Sequence, residues 1–285
     1  MEGQPQRGFV RTALADWHYR RLGTGAAIVL LPPGGRSCAV YAELMQALSQ
    51  KYCVIGLDPP GCGCSDRLPT GSTMEDIARS LNEALDHLGA VSVCVFGLHS
   101  GNKLATALAT IAAGRVRKLA IAGLSHSLIP DPALRHELLL RHVPEMSPEA
   151  SRDRVELRAW IAKYAEVTSL WFNQAAIAKL NSLEASADRL EVLIDHMQCM
   201  GSKVRLYEAN LMYGFEKDLA SVTVPTLILE IVTPEEEKLI GRQGPYLQPI
   251  LRDSRWVALE EPDLLRHTFE HRAPEIGDIL LDFFG

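Results

Sequence analysis

Four short, predominantly apolar runs, separated by helix-patterned stretches, limit this chain to few folds. Residues 27–31, 53–57, 91–96 and 116–122 each have the length of a buried strand. Strands covered on both faces read as near-continuous apolar runs, because neither face meets water. The first three end in turn residues: Pro32-Pro33-Gly34-Gly35, Asp58-Pro59-Pro60-Gly61, and the stretch from Gly97 to Gly101. Between the runs, residues 39–48 have helical spacing, residues 74–88 form an amphipathic helix with Ser72-Thr73 as caps, and residues 102–113 are an alanine-rich helix. Repeated strand, loop and helix units predict an α/β fold, a mostly parallel central sheet flanked by helices.

The pattern changes after Ser127. Residues 128–216 contain helical segments, at 156–164, 170–180 and 190–200, and no convincing buried strand. Strand signals resume at 224–229 and 255–259, and an amphipathic helix closes the chain at 274–284. The expected organisation is one core, residues 1–127 and 217–285, interrupted by an inserted helical cap at 128–216. Most cap aromatics should be packing, while Trp160, Tyr164, Trp171, Phe172 and Tyr213 are candidates to line a pocket.

Composition excludes several classes. Hydrophobic residues make up 47% and charged residues 22%, which argues against both disorder and a membrane protein. Residues 1–11 are polar, unlike a signal peptide, and no run approaches the roughly 18 apolar residues of a membrane span. The cytoplasm is the expected location. A net charge of −6 offers no electrostatic reason to bind nucleic acid, and Arg115, Arg117 and Lys118 read as a solvated turn. Cys53 and Cys94 fall inside strand runs as small hydrophobes, and Cys62-Gly63-Cys64 lacks the second pair of a zinc site. Reduced thiols, no metal and no organic cofactor are expected. The oligomeric state stays open, a homodimer included.

Three segments resemble the α/β-hydrolase superfamily, and together they span nearly the whole chain. Asp58-Pro59-Pro60-Gly61-Cys62-Gly63-Cys64-Ser65-Asp66 is similar to the D-x-P-G-x-G-x-S-D loop of its epoxide-hydrolase-like and esterase-like branches. Val224-Pro225-Thr226-Leu227-Ile228-Leu229 is similar to the penultimate strand, and the interval from His267 to Pro274 matches that between the family's catalytic histidine and the proline opening its last helix. The resemblance implies an α/β-hydrolase fold with an inserted helical cap.

The family's chemistry sits on a strand-to-helix elbow, G-x-Nu-x-G, which here reads Gly97-Leu98-His99-Ser100-Gly101. So tight a reversal requires minimal side chains two residues on either side of its tip. The two glycines meet that need with His99 at the tip. With Ser100 at the tip the flanking residues would be Leu98 and Asn102, both bulky. His99 therefore stands where the family has a Ser, Cys or Asp, and Ser100 follows it, its backbone N–H an oxyanion donor. Gly34 and Gly35 are the other candidates to approach a carbonyl oxygen. Ser37 and Cys38, just beyond, are within reach of substrate, although helix capping is the simpler duty for Ser37.

The resemblance implies that His267 is the histidine of the site, with His271 an alternative in a shorter loop. His18, His87, His126, His136, His142 and His196 have no such register and are read as surface or cap residues. The expected aspartate position falls near Thr233, so the acid partner is Glu235, or Glu230 at the strand end. A solvated helix start at 235–237 explains those glutamates equally well.

These residues imply a hydrolase or lyase with an atypical His99/His267 centre. Its partner would be a small, partly apolar carbonyl compound: an ester, lactone, thioester or C–C bond next to a carbonyl. Two alternatives remain, a non-catalytic ligand-binding protein on the same scaffold and a serine hydrolase using Ser100.

Overall fold

The computed structural model describes residues 3–123, 133, 137, 194–195, 197–199, 201–232, 242, 244–260 and 272–285. Eight strands form one sheet: β1 (Gln6–Arg11), β2 (Asp16–Leu22), β3 (Ala27–Leu31), β4 (Cys53–Leu57), β5 (Val93–Leu98), β6 (Val116–Ala122), β7 (Thr226–Val232) and β8 (Ser254–Glu260). Their order is β1-β2-β4-β3-β5-β6-β7-β8. From β4 to β8 every neighbour is parallel, whereas β2 pairs antiparallel with both β1 and β4. This is the mostly parallel α/β sheet expected from the apolar runs, in the α/β-hydrolase arrangement that the resemblance implies.

Every residue of β3, β4, β5 and β7 is buried, because side chains alternate between two helix-covered faces. Val29 and Leu31 point into a cluster with α2 (Met74–His87) and α3 (Ser100–Ile111). Ile28 and Leu30 point into the opposite cluster, with α1 (Ala42–Leu48) and the last helix, α7 (Ala273–Phe284). Each such side chain contributes roughly 1.5–3 kcal/mol by leaving water. The remaining helices among the described residues are α4 (Lys203–Met212), α5 (Phe215–Ser221) and the short α6 (Gly244–Leu247). Thr73 caps α2 as expected, in a reciprocal box with Asp76. Ser37 caps the 3₁₀ turn Cys38–Tyr41 that leads into α1.

The N-terminal hairpin has no counterpart in the sequence reading. β1 and β2 carry arginines on an open face and lie at the edge of the sheet, so neither shows an apolar run. Trp17 anchors the hairpin: it is fully buried and its Nε1 donates to Ser80 Oγ on α2 at 2.7 Å. His18 corrects an expectation. It is no surface residue but a buried member of β2, 6% exposed, because alternation along the strand turns it toward the β4 loop.

Candidate functional site

β5 reaches its carboxyl end at Leu98, and α3 begins at Ser100, so His99 alone makes the reversal. Its φ of 49° and ψ of −111° are strained for a side-chain-bearing residue, and among the described residues it is the one non-glycine with positive φ. Such a conformation costs of order 1–3 kcal/mol and persists only where the surroundings enforce it. They do so here. His99 N donates to Ala122 O at 2.9 Å, and Asn102 N donates to His99 O at 3.0 Å. The buried Asn102 side chain then locks onto the end of β6, with Nδ2 donating to Ala122 O at 2.8 Å and Oδ1 accepting from Ala122 N at 3.0 Å.

The two glycines around the tip have the role that their spacing predicts. A Cβ on Gly97 would lie 2.3 Å from Gly101 O, and one on Gly101 would lie 2.2 Å from Leu31 O. Both collisions are with backbone, which has no rotamer to change. Gly101→Ala is therefore expected to destabilise the protein by about 3 kcal/mol, the upper end of ordinary overpacking, read as a lower urea midpoint at unchanged m.

His99 and Ser100 are both half-buried. The imidazole lies over Gly123, where an added Cβ would come within 2.8–3.0 Å of three ring atoms. The Ser100 hydroxyl lies against Gly34, 2.8 Å from the Cβ that glycine lacks. Pro32, Gly34, Pro59, Cys62, Ser100 and Leu206 border a small apolar cavity of about 20 Å³ behind the elbow. The structure thus brings together the elbow, the Gly34-Gly35 loop and the Asp58–Asp66 loop. Gly35 has φ 81°, and its N–H bonds toward the sulfurs of Cys62 and Cys199. Tyr213 is 5% exposed at the end of α4, its ring tilted 46° to that of Phe215 with centroids 6.5 Å apart, and does not border that cavity. His267, Glu235, Trp160, Tyr164 and Trp171 lie outside the described residues. Glu230 is buried within β7, and its carboxylate accepts from Gly244 N at 3.1 Å and Trp256 Nε1 at 3.0 Å.

Three features depend on partners that the sequence does not reveal. The first is Asp58, 1% exposed at the end of β4. Its Oδ1 accepts from Cys38 N at 2.6 Å, and its Oδ2 accepts from Cys64 N at 3.0 Å and bonds His18 Nδ1 at 2.9 Å. His18, Cys38 and Asp58 place donor atoms within 4.8 Å of one another, a spacing suited to a metal. Yet both carboxylate oxygens already hold hydrogen bonds, so the cluster acts as an anchor for two loops. Burial, then the charge of Asp58, pushes the Cys38 thiol well above its ordinary range, which makes it a poor nucleophile. The second is a buried ion pair, Arg36 Nε to Asp195 Oδ2 at 2.9 Å, which ties the loop after β3 to the segment entering α4.

The third is Lys103 on α3, 7% exposed, whose Nζ donates to Asn210 O near the end of α4 at 3.1 Å. Burial lowers its pKa to about 8. An ammonium with a lowered folded pKa opposes folding while charged, so stability should rise with pH from about 8 toward the unfolded value near 10.4. Lys103→Met is expected to remove that rise, measured by urea denaturation at several pH values.

A model of the alpha/beta hydrolase fold matches residues 26–182. A provisionally named carbamate hydrolase, RutD, of Azorhizobium caulinodans is 26% identical over 277 residues, 95% of this chain and 96% of its own. Among solved structures, the epoxide hydrolase CorEH superposes with a TM-score of 0.75 at 21% identity, covering 99% of each chain. The enol-lactonase from Burkholderia xenovorans LB400 superposes with a TM-score of 0.70 at 19% identity, covering 97% of this chain and 99% of its own.

Proposed function

The chain belongs to the alpha/beta hydrolase fold family, and from that premise we propose that it is an enzyme acting on a small, partly apolar carbonyl compound at a centre built on His99 and His267. The observation that carries this reading is the strained backbone of His99, φ 49° at the junction of β5 and α3. In this fold the tip of that turn holds the group that attacks substrate. Strain kept at one side-chain-bearing residue is a mark of a functional position.

Esters, lactones, thioesters and C–C bonds next to a carbonyl are all within reach of such a centre. Carbamate and lactone hydrolysis, the chemistries in the names of two relatives, also proceed at a carbonyl carbon. The imidazole of His99 attacks that carbon directly, or takes a proton from water or from the substrate. His267 supplies the second acid–base group, with Glu235 as its partner. The N–H of Ser100 lies in the first turn of α3, where amides lack intrahelical acceptors, and it faces the developing oxyanion beside Gly34. Cap aromatics at 160, 164 and 171 supply the apolar wall.

The Ser100 alternative rests on its hydroxyl lying against Gly34 at the cavity edge. A panel of activated esters, lactones and thioesters, run beside a fluorophosphonate label, separates the readings. Turnover without labelling supports the histidine centre. Labelling lost in Ser100→Ala overturns it in favour of a serine hydrolase, and silence across the panel favours a binding protein.

A further inference from the structure

The segment entering α4 is docked on the loop after β4 by a series of contacts. Ser202 Oγ accepts from Leu68 N at 3.1 Å, Arg205 Nη1 donates to Leu68 O at 2.8 Å, and Gly61 lies so close that an added Cβ would sit 2.4 Å from that of Ser202. In the middle of this seam, Cys62 Sγ and Cys199 Sγ are 3.9 Å apart. Both side chains are buried, at 1% exposure each, and 137 positions separate them in the chain. Sulfurs in contact are the starting point for a disulfide, whose S–S bond is roughly 2.05 Å long.

We propose that Cys62 and Cys199 are a reversible dithiol–disulfide couple, a covalent staple between the cap-side segment and the core loop beside the elbow. The chemistry of the pair suits this. The two sulfurs share a hydrogen bond, and that contact lowers the Cys199 thiol and raises that of Cys62. One sulfur is thus prepared to attack and the other to resolve. With a peroxide as oxidant, the Cys199 thiolate attacks one peroxide oxygen, giving a sulfenic acid and releasing hydroxide, which takes up a proton as water. Cys62 sulfur then attacks the sulfenic sulfur, expelling a second water. Two thiols and one hydrogen peroxide become one disulfide and two waters.

Two consequences reach the site. The staple holds α4 against the small cavity, which Cys62 and Leu206 both border. It also weakens the sulfur acceptors toward which the Gly35 N–H bonds, loosening a donor of the Gly34-Gly35 loop. Any effect on turnover rests on the function proposed above, whereas formation of the cross-link does not.

The test treats native protein with hydrogen peroxide, then unfolds it in an alkylating agent without reductant and maps the peptides. The expected product joins the peptides of Cys62 and Cys199, with a mass loss of about 2 Da, and dithiothreitol restores both thiols. Cys64→Ser removes the exposed thiol two positions away and should give the same cross-link. Recovery of Cys62 and Cys199 as alkylated thiols, or a disulfide from Cys62 to Cys64, overturns the proposal even if the protein proves to be a hydrolase. A cross-link in protein that is silent on every ester leaves the staple established and the function reading overturned.

Discussion

His99→Ala is expected to lower kcat by about 10²–10⁴-fold, the range removed with a general acid–base group, while the protein stays folded. The reversal at residue 99 is held by main-chain bonds to β6, by the Asn102 side chain and by the two glycines, none of which involves the imidazole. Alanine keeps the Cβ and the strain, so the urea midpoint should change little. Glycine at the same position relieves a φ of 49° and should raise stability by about 1 kcal/mol with the same loss of turnover. A more stable, inactive His99→Gly variant would separate the chemical duty of the residue from any structural one. Retained turnover in His99→Ala, with turnover abolished in Ser100→Ala, would refute the histidine assignment.

Asp58→Ala should cost about 3–5 kcal/mol, the penalty for breaking a buried charge-assisted network. Its removal leaves the N–H groups of Cys38 and Cys64 and the ring of His18 facing a void, and it unfastens the loops on which the elbow rests. The wild-type protein carries the matching pH signature. Burial opposes the charged form of Asp58, but hydrogen bonds from His18, Cys38 and Cys64 outweigh it and hold the carboxyl below its usual range. A depressed folded pKa contributes stability that is fully present above the unfolded value near 3.9 and is lost as pH falls through the folded one. Stability should therefore decline below about pH 4, and Asp58→Asn should flatten that decline. An unchanged acid limb in Asp58→Asn would assign the wild-type loss to other carboxylates.

The elbow, the parallel core and the boundaries of most helices were legible because each depends on neighbours in sequence. Gly97, His99 and Gly101 interact across four residues, so their spacing alone carries the steric rule that the collisions with Gly101 O and Leu31 O express. Strand ends were less legible. β5 runs Val93–Leu98 rather than 91–96 because its register is set by β3 and β6, and Val91 stays 78% exposed. The expectation of a surface His18 failed because a polar residue in a strand without an apolar run carries no sign of which face the sheet will cover. Among the candidate site residues, His267 and Glu235 follow from resemblance alone, whereas His99 follows from steric spacing as well.

The chain alone determined its alternation of strands and helices, the strained turn at His99 and the caps at Thr73 and Ser37, since hydrophobic period and turn chemistry act over a few residues. Tertiary structure decided the antiparallel hairpin at the sheet edge, the Asp58 anchor, the Arg36–Asp195 pair and the contact between Cys62 and Cys199. Those partners are up to 159 residues apart. A polar or sulfur group so distant from its partner is identical in composition to a solvated one, and only the packing that removes water makes it part of a site.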